Sequence, residues 1–153
     1  MTLHPAFRVA GHLIRRAFQA HDAVFARETA GFDVTSPQVA TLTAIALWPG
    51  IELTPLADRV GYDAATLSGL INRLIGKRLV RRAVGKHDRR TRQLFLTAKG
   101  QDLLDEVTPY AARVTDVLLA PLSPAERGVF FDMMERIVIH AAATTEIADT
   151  EVA

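Results

Sequence analysis

Hydrophobic residues recur with helical spacing from the start of the chain. From about residue 5 to about residue 29, apolar side chains fill one face of a predicted helix, and polar side chains form a stripe along it. Gly31 ends this helix. A second helix is predicted from Ser36, as N-cap, through Trp48, with a proline at its first helical position. The first third of the chain is therefore predicted to be helical.

The next two helices are predicted to form a helix-turn-helix unit. A short helix begins at Thr54-Pro55 and stops at Gly61, and Asp63 caps a longer one. The longer helix has the apolar spacing of a helix packed on one side, at Leu67, Leu70, Ile71, Leu74 and Ile75. The tight connection between the two helices is typical of a helix-turn-helix.

A β-hairpin is predicted directly after this unit. Its strands lie at residues 79–83 and 92–96, and a basic turn that contains Gly85 joins them. A hairpin in this position corresponds to a wing.

Two long helices are predicted to follow the hairpin. Thr97 caps the first, whose apolar residues step 4, 3, 4, 3 along a packing seam, and Pro109 is expected to kink it or to end an early segment. The Ser-Pro-Ala-Glu sequence at 123–126 is a capping box that opens the last helix. Beyond about residue 145 the pattern is lost, and fraying is expected.

Composition sharpens this picture through the distribution of charge. The net charge of the 153 residues is only +1, yet residues 73–92 contain nine basic residues and one acid, a local net charge of +8 that leaves −7 on the rest. Such a cationic segment within an acidic body favours a polyanionic partner. The 49% hydrophobic content suffices for a buried core, and the absence of cysteine excludes disulfides, thiolate metal sites and cysteine nucleophiles.

Several other classes of protein are disfavoured. Residues 1–10 lack an apolar targeting segment, and the uncharged run at 34–51 contains helix start and stop signals, so no membrane partner and a cytoplasmic location are expected. The five histidines lack metal-binding spacing, and no phosphate loop or nucleophile elbow occurs. We expect no metal, no cofactor and no catalytic residues, hence no enzyme.

The residues expected to contact double-stranded DNA lie in two places. The exposed side of the longer helix would face base edges in a major groove, and arginines of the wing would neutralise phosphates or enter the minor groove. The alternative is an ordinary exposed helix face next to a solvated charged loop. The candidates are Thr66, Ser68, Gly69, Asn72 and Arg73 on the helix and Lys86, Arg89, Arg90 and Arg92 on the wing.

The chain resembles the MarR family of winged-helix transcriptional regulators from about residue 11 to about residue 137. The most specific match is Asp88-Arg89-Arg90 followed by Leu-Thr-Ala-Lys-Gly at 96–100, as in the family's D-x-R and L-T-x-x-G. Supporting matches are Thr-Ser-Pro-Gln at 35–38, Pro49-Gly50, Leu56-Ala57, and Ala-Thr-Leu at 65–67 followed by Arg73-Leu74.

This resemblance implies a homodimer, interlocked through its first and last helices, that grips a pseudo-palindromic operator with two wings and two recognition helices. Arg90 then corresponds to the wing-tip arginine that enters the minor groove, and Asp88 to the acid that orients it.

The fold class is expected to be mainly α with a small β-hairpin wing. Residues 1–153 would form one domain, with dimerisation helices at about 5–30 and 101–147 and the winged helix-turn-helix at about 36–100.

Two positions depart from the family pattern. Arg78 stands where many members have glycine, and a left-handed non-glycine residue costs about 1–2 kcal/mol, which favours a turn built differently, for example with Gly76. Asn72 stands where the family often has Asp, which removes a negative charge near DNA.

The resemblance further implies an effector cleft for small aromatic acids. His12, Arg15 and Arg16 could hold a carboxylate, and Trp48 could wall the pocket. The alternative is that the first three are merely the polar stripe of a surface helix. Without cysteine, the peroxide-sensing branch is excluded.

The sequence thus predicts a sequence-specific DNA-binding regulator, a repressor that a small aromatic acid releases. Its alternative is an architectural or protein-interaction module that binds nucleic acid without sequence choice.

Overall fold

The computed structural model describes residues 4–85 and 91–151, and the side chains among these up to residue 144. Six helices and one hairpin follow each other in these ranges: α1 Ala10–Glu28, α2 Ser36–Leu47, α3 Leu53–Val60, α4 Ala64–Gly76, β1 Val80–Val84, β2 Arg92–Leu96, α5 Ala98–Leu118 and α6 Pro124–Glu151. The prediction of a mainly α fold with a small hairpin is confirmed. None of the described helices combines the length and the hydropathy that a membrane span needs.

The chain divides into two compact units, Met1–Thr115 and Asp116–Ala153. The first contains α1 to α4, the hairpin and most of α5, and the second contains the end of α5 and α6. The single domain expected for residues 1–153 stays a prediction.

The core of the first unit lies between α2, α3, α4 and the hairpin. Each of these helices turns one apolar face inward, so the leucines and isoleucines at helical spacing are almost completely buried. The apolar side chains of this core with less than 2% exposure are Leu42, Ile45, Leu56, Leu67, Ile71, Leu74, Val80, Leu94, Val107 and Val114. Because α4 is anchored along this whole face, its opposite face is held in a fixed position.

The starts of three helices differ from the predictions. Thr35, not Ser36, is the N-cap of α2: its backbone N–H donates to Gln38 Oε1 (3.2 Å), which completes a capping box one residue earlier. Helix α3 begins at Leu53 instead of Thr54, since a proline is tolerated anywhere in a first turn. Residues 5–7 form a separate 3₁₀ turn, because Val9 is extended before α1.

Two predictions about the long C-terminal helices are also corrected. Pro109 does not end an early segment, because α5 runs without a break from Ala98 to Leu118. Helix α6 continues to Glu151, although fraying was expected beyond about residue 145. Its predicted capping box is confirmed: Glu126 Oε2 accepts from the Ser123 hydroxyl (2.7 Å) and from the Ser123 backbone N–H (2.8 Å), and these two hydrogen bonds lower the pKa of Glu126.

The hairpin is antiparallel, and β2 has a second neighbour. Strand β1 is shifted by one residue from its predicted position, and Val80 pairs with Leu96 at its base. On the other edge of β2, the Leu94 N–H donates to the Ile51 carbonyl (2.9 Å) and the Leu94 carbonyl accepts from Gly50 (2.9 Å). The loop between α2 and α3 therefore fixes the base of the wing, which the sequence pattern did not predict.

Helix α4 ends in a Schellman motif with an arginine at the left-handed position. Arg78 has φ +61°, and the Leu79 N–H donates to the Leu74 carbonyl (3.0 Å). The buried side chains of Leu79 and Leu74 supply the accompanying apolar contact. The interpretation that Gly76 would build this turn is wrong, because the contacts around Arg78 impose its left-handed conformation in spite of the steric cost.

A single backbone carbonyl, that of Leu79, joins α4, the hairpin and α5. It accepts hydrogen bonds from the Thr97 N–H (3.0 Å) and the Thr97 hydroxyl (3.3 Å), and this hydroxyl also donates to the Arg78 carbonyl (2.7 Å). The Thr97 oxygen in turn accepts from the Gly100 N–H (3.0 Å), which confirms Thr97 as the cap of α5. A Cβ at Gly100 would lie 2.0 Å from the Leu79 oxygen, so this position requires glycine.

The N-terminus of α4 is capped by Asp63, as predicted. Its Oδ1 accepts from the Thr66 backbone N–H (2.8 Å), and its Oδ2 accepts from the Thr66 hydroxyl (2.6 Å). The hydrogen bond from the Thr66 side chain, followed by that from its backbone, lowers the pKa of Asp63. The ionised carboxylate thus fixes both the first turn of α4 and the Thr66 side chain.

Replacing Gly100 with alanine is expected to lower the free energy of unfolding by at least about 2 kcal/mol, because the new methyl group overlaps a backbone oxygen that cannot move independently. Urea denaturation measures this loss. Gly76→Ala is the matched control, since a Cβ there meets nothing within 4 Å and stability should not fall. Equal stability of the two variants would contradict the proposed close approach.

The cap at Asp63 should stabilise the fold only while its carboxylate is ionised. A lowered native pKa means that this contribution is fully present above the ordinary pKa of aspartate and is lost as the pH falls through the native pKa. Asp63→Ala should therefore be less stable than the wild type at pH 7, and the difference should shrink in acid. Asp63→Asn, which keeps an acceptor for the Thr66 N–H, should fall between them. A difference independent of pH would contradict the role of the charge.

Candidate nucleic-acid interface and effector cleft

The exposed face of α4 carries the predicted base-reading residues. Thr66, Asn72 and Arg73 are exposed there, and Ser68 and Gly69 are partly exposed. The Thr66 hydroxyl donates its hydrogen bond to Asp63, so only its acceptor lone pairs remain for a partner. At Gly69, a Cβ would meet only the Arg73 side chain, at 3.9 Å, so the protein's own packing does not explain this glycine.

Asn72 has a partner that the sequence did not indicate. Arg82 Nη2, on β1, donates a hydrogen bond to Asn72 Oδ1 (3.0 Å). Both side chains are exposed, so the bond links the recognition helix to the wing at the protein surface. It also occupies one of the two lone pairs of Asn72 Oδ1, the acceptor with which this amide was expected to bind the amino group of adenine.

The hairpin separates its arginines onto two faces. Arg81 pairs with Phe95, and its guanidinium lies over the Phe95 ring at 4.5 Å from the centroid. Side chains alternate along a strand, so Arg82 projects from the opposite face, together with its partner Leu94. Arg92, a diagonal neighbour of Arg82, lies on that same face and is exposed. The face beside α4 thus carries two exposed arginines.

Lys77, another cation of the basic segment, is engaged in the fold. Lys77 forms an ion pair with Asp33 (Nζ to Oδ2, 3.0 Å), which ties the end of α4 to the loop after α1. The Lys77 carbonyl also accepts a hydrogen bond from Lys99 Nζ (3.1 Å). The local charge of +8 therefore overstates the cationic groups that face outward.

The wing-tip predictions lie outside the described residues. These are Lys86, Asp88, Arg89 and Arg90. The charge of the wing predicts Lys86, Arg89 and Arg90 as DNA contacts, and the family resemblance implies the specific roles of Arg90 and Asp88; all four stay predictions.

A cleft of about 440 Å³ opens between α1, α2 and α3 within the first unit. Its walls are mainly apolar, from Phe25 and Val39 through Leu47 to Val60, and Trp48 closes one side. The Arg59 guanidinium lies over the Trp48 ring, 3.9 Å from its centroid. His21 lines the same cleft. An apolar cavity of this size with one arginine and one imidazole suits a small aromatic anion.

The predicted ligand residues are not brought together. Trp48 lines the cleft, whereas His12, which is partly buried, and the exposed Arg15 and Arg16 lie on the first half of α1 and do not line it. His12 instead lies 3.4 Å from Arg15 (Nδ1 to Nη2) and packs against the Phe7 ring at 5.1 Å. A role for these three in ligand binding stays a prediction.

Sequence reasoning missed His21 and Arg59 as cleft residues. His21 lies one helical turn from both Phe18 and Phe25 on the apolar face of α1, and this spacing was an available signal. Arg59 gave no such signal, because it reaches the cleft only through the packing of α3 against α2.

His21, in the cleft, neighbours Asp22, whose charge acts on Tyr62 in the turn before α4. His21 Nδ1 lies 3.4 Å from Asp22 Oδ1. Burial raises the pKa of Tyr62, in the turn between α3 and α4, and the nearby Asp22 carboxylate raises it further.

Within the described ranges, no group of three or more histidine, aspartate or glutamate side chains could hold a metal ion.

Comparison with known proteins gives relatives that extend over most of the chain. The model of the MarR family matches residues 32–91. The transcriptional regulator HosA of Escherichia coli is 34% identical over 129 residues, which cover 84% of this chain and 94% of HosA. The transcriptional repressor NicR of Pseudomonas putida is 30% identical over 128 residues, with 84% and 81% coverage.

Among solved structures, BpsR from Bordetella bronchiseptica superposes with a TM-score of 0.82 and 29% identity, and the match covers 90% of this chain and 97% of that one. DNA binding by BpsR is regulated by 6-hydroxynicotinic acid. Given the identity to HosA over nearly its whole length, the chain belongs to the MarR family of transcriptional regulators.

Proposed function

We propose that this protein is a sequence-specific DNA-binding repressor that a small aromatic acid releases from its operator. The observation that carries the proposal is the surface formed by α4 and the adjacent face of the hairpin. There, Thr66, Asn72 and Arg73 of a capped helix stand beside Arg82 and Arg92. Hydrogen-bonding side chains next to arginines are what major-groove reading and phosphate contact require.

The proposed repressor acts as a homodimer. The start of the chain and α6 each leave large hydrophobic side chains exposed, which a monomer would not retain without a partner. These are Phe7, Val9, Leu13, Ile14 and Phe18 in the first unit and Val129, Phe131, Met133, Ile137, Val138 and Ile139 in the second. Two copies would present two recognition helices to the half-sites of a pseudo-palindromic operator. Residues 1–153 form a single functional domain in this proposal.

The proposed effector site is the cleft lined by Trp48, Arg59 and His21. An aromatic ring would pack against Trp48, and the carboxylate would bind Arg59 with charge-assisted hydrogen bonds. BpsR, which resembles this chain over most of its length, responds to an acid of this class. The cleft supports the same class of effector here.

Release would follow from the position of Arg59 in the helix-turn-helix. Helix α3 leads through Gly61, which has a left-handed backbone, directly into the Asp63 cap of α4. When the ligand's carboxylate binds Arg59, it shifts this side chain and changes the packing of α3 on α2. Helix α4 moves with α3 because the connection between them is short. A dimer binds its operator only when its two recognition helices are as far apart as the two half-sites, about one turn of the DNA helix. A small shift of α4 therefore weakens DNA binding.

The proposal includes a cytoplasmic location, where a regulator meets chromosomal DNA, and no enzymatic activity. Its ligand would be bound without covalent change, since the chain contains no cysteine.

We expect the protein to select one palindromic sequence from a randomised duplex library and to bind it about a thousandfold more tightly than unrelated DNA at the same salt concentration. Arg90→Ala should weaken this binding and lower its salt dependence, because one phosphate or minor-groove contact per protomer is lost. Fluorescence anisotropy at several salt concentrations measures both quantities. Equal affinity for unrelated DNA would instead support the non-specific architectural module.

The effector prediction uses 6-hydroxynicotinic acid as the probe and its carboxamide as the neutral control. At a free concentration of 100 times its dissociation constant, the acid should raise the free energy of unfolding by about 2.7 kcal/mol, which a thermal-shift assay detects as a higher Tm. It should also change the emission of Trp48, the single tryptophan of the chain. Arg59→Ala should weaken binding about tenfold to a hundredfold, because a charge-assisted hydrogen bond is lost.

Arg15→Ala and Arg16→Ala remove the same charge outside the cleft. If they abolish the response and Arg59→Ala does not, the acid binds at α1 and the cleft assignment is wrong. If the carboxamide stabilises as well as the acid, the carboxylate is not what the site recognises.

A further inference from the structure

We propose that Arg82 is a DNA-phosphate contact and that Asn72 is the neutral positioning residue that holds it. This inference rests on the proposed DNA-binding function and assigns a contact that the sequence patterns did not indicate. It also gives Asn72 a role other than reading a base.

The first argument is the geometry of the pair. Arg82 Nη2 donates to Asn72 Oδ1 at 3.0 Å, across the junction of β1 and α4. One guanidinium nitrogen is thus anchored on the recognition helix, and the remaining N–H groups belong to an exposed side chain. A long side chain held in this way loses less conformational entropy when it binds.

The second argument concerns charge. Within the described parts of the chain, no carboxylate forms an ion pair with Arg82, whereas Lys77 is paired with Asp33 and Arg127 with Asp116. An amide acceptor orients a guanidinium without neutralising it. Aspartate at position 72 would have the same shape and would compensate the charge. Asparagine therefore leaves the full positive charge of Arg82 for a phosphate.

The third argument is the face of the hairpin on which Arg82 lies. Arg82 and Arg92 project on the side of α4, while Arg81 is stacked on Phe95 on the other side. A helix that enters a major groove places the strand beside it over the flanking sugar-phosphate backbone. Arg82 is thus positioned to bind the backbone while Thr66 and Ser68 of α4 face the bases.

The test measures DNA affinity and its salt dependence for a duplex that the wild-type protein has selected from a randomised library. Arg82→Ala should weaken binding about tenfold at 0.15 M salt. It should also reduce the slope of log K against log salt by about 0.9 per protomer, or about two for a dimer. Arg81→Ala is the matched control, with the same loss of charge on the opposite face, and its slope should change little. Arg82→Lys should keep the wild-type slope.

Asn72 is tested with two variants. Asn72→Asp should weaken binding and reduce the slope, because the new carboxylate neutralises Arg82 without altering its position. Asn72→Ala should weaken binding in the wild-type background and have no further effect when combined with Arg82→Ala, because it acts only through Arg82. Thermal unfolding of every variant checks that the fold is retained.

Three results would overturn the inference. Arg82→Ala with wild-type affinity and slope means that Arg82 contacts no phosphate. Wild-type or tighter binding by Asn72→Asp means that the charge of Arg82 is not used. An Asn72→Ala effect that persists beside Arg82→Ala and relaxes the preference at one base pair means that Asn72 reads a base. If the wild-type protein itself selects no sequence, the proposed function fails first, and this outcome is distinct from the other three.

Discussion

The structure depends on the close approach of the Leu79 carbonyl to the start of α5. This carbonyl lies where α4 ends, where β1 begins and where Thr97 and Gly100 open α5, and hydrogen bonds from Thr97 hold all three elements together. The side chain missing from Gly100 is what allows the contact. The recognition helix and the base of the wing therefore have a fixed relative position before either meets DNA, so binding does not incur the entropic cost of ordering these two parts.

The left-handed Arg78 follows from the same junction. A glycine there would be free of steric cost, yet the Schellman hydrogen bonds, the buried Leu74–Leu79 contact and the Thr97 hydroxyl on the Arg78 carbonyl hold an arginine in this conformation. The residue adds an exposed cation at the base of the wing. Local strain of about 1–2 kcal/mol is thus compatible with the fold because several independent contacts oppose its relief.

Much of the fold could be predicted because its helix signals are local. Asp63, Thr97 and the Ser123 capping box act within four residues, and strand β2 was placed at residues 92–96, where it lies. What failed depends on partners distant in sequence: the Ile51 bridge to Leu94, the Asn72–Arg82 bond and the arrival of Arg59 beside Trp48. In a single sequence, an arginine that will stack on a tryptophan looks the same as one that is solvated.

The cleft and the DNA-reading face share one short element. Helix α3 has only eight residues, and it carries Arg59 toward Trp48 while its end, through Gly61 and Tyr62, sets the position of the Asp63 cap. Leu56 and Ala57 bury its inner face in the core, so it cannot slide freely. In the proposed release, a ligand that shifts Arg59 would tilt α3 about its buried side, and the tilt would reach the reading surface through the first turn of α4, where Asp63 holds Thr66.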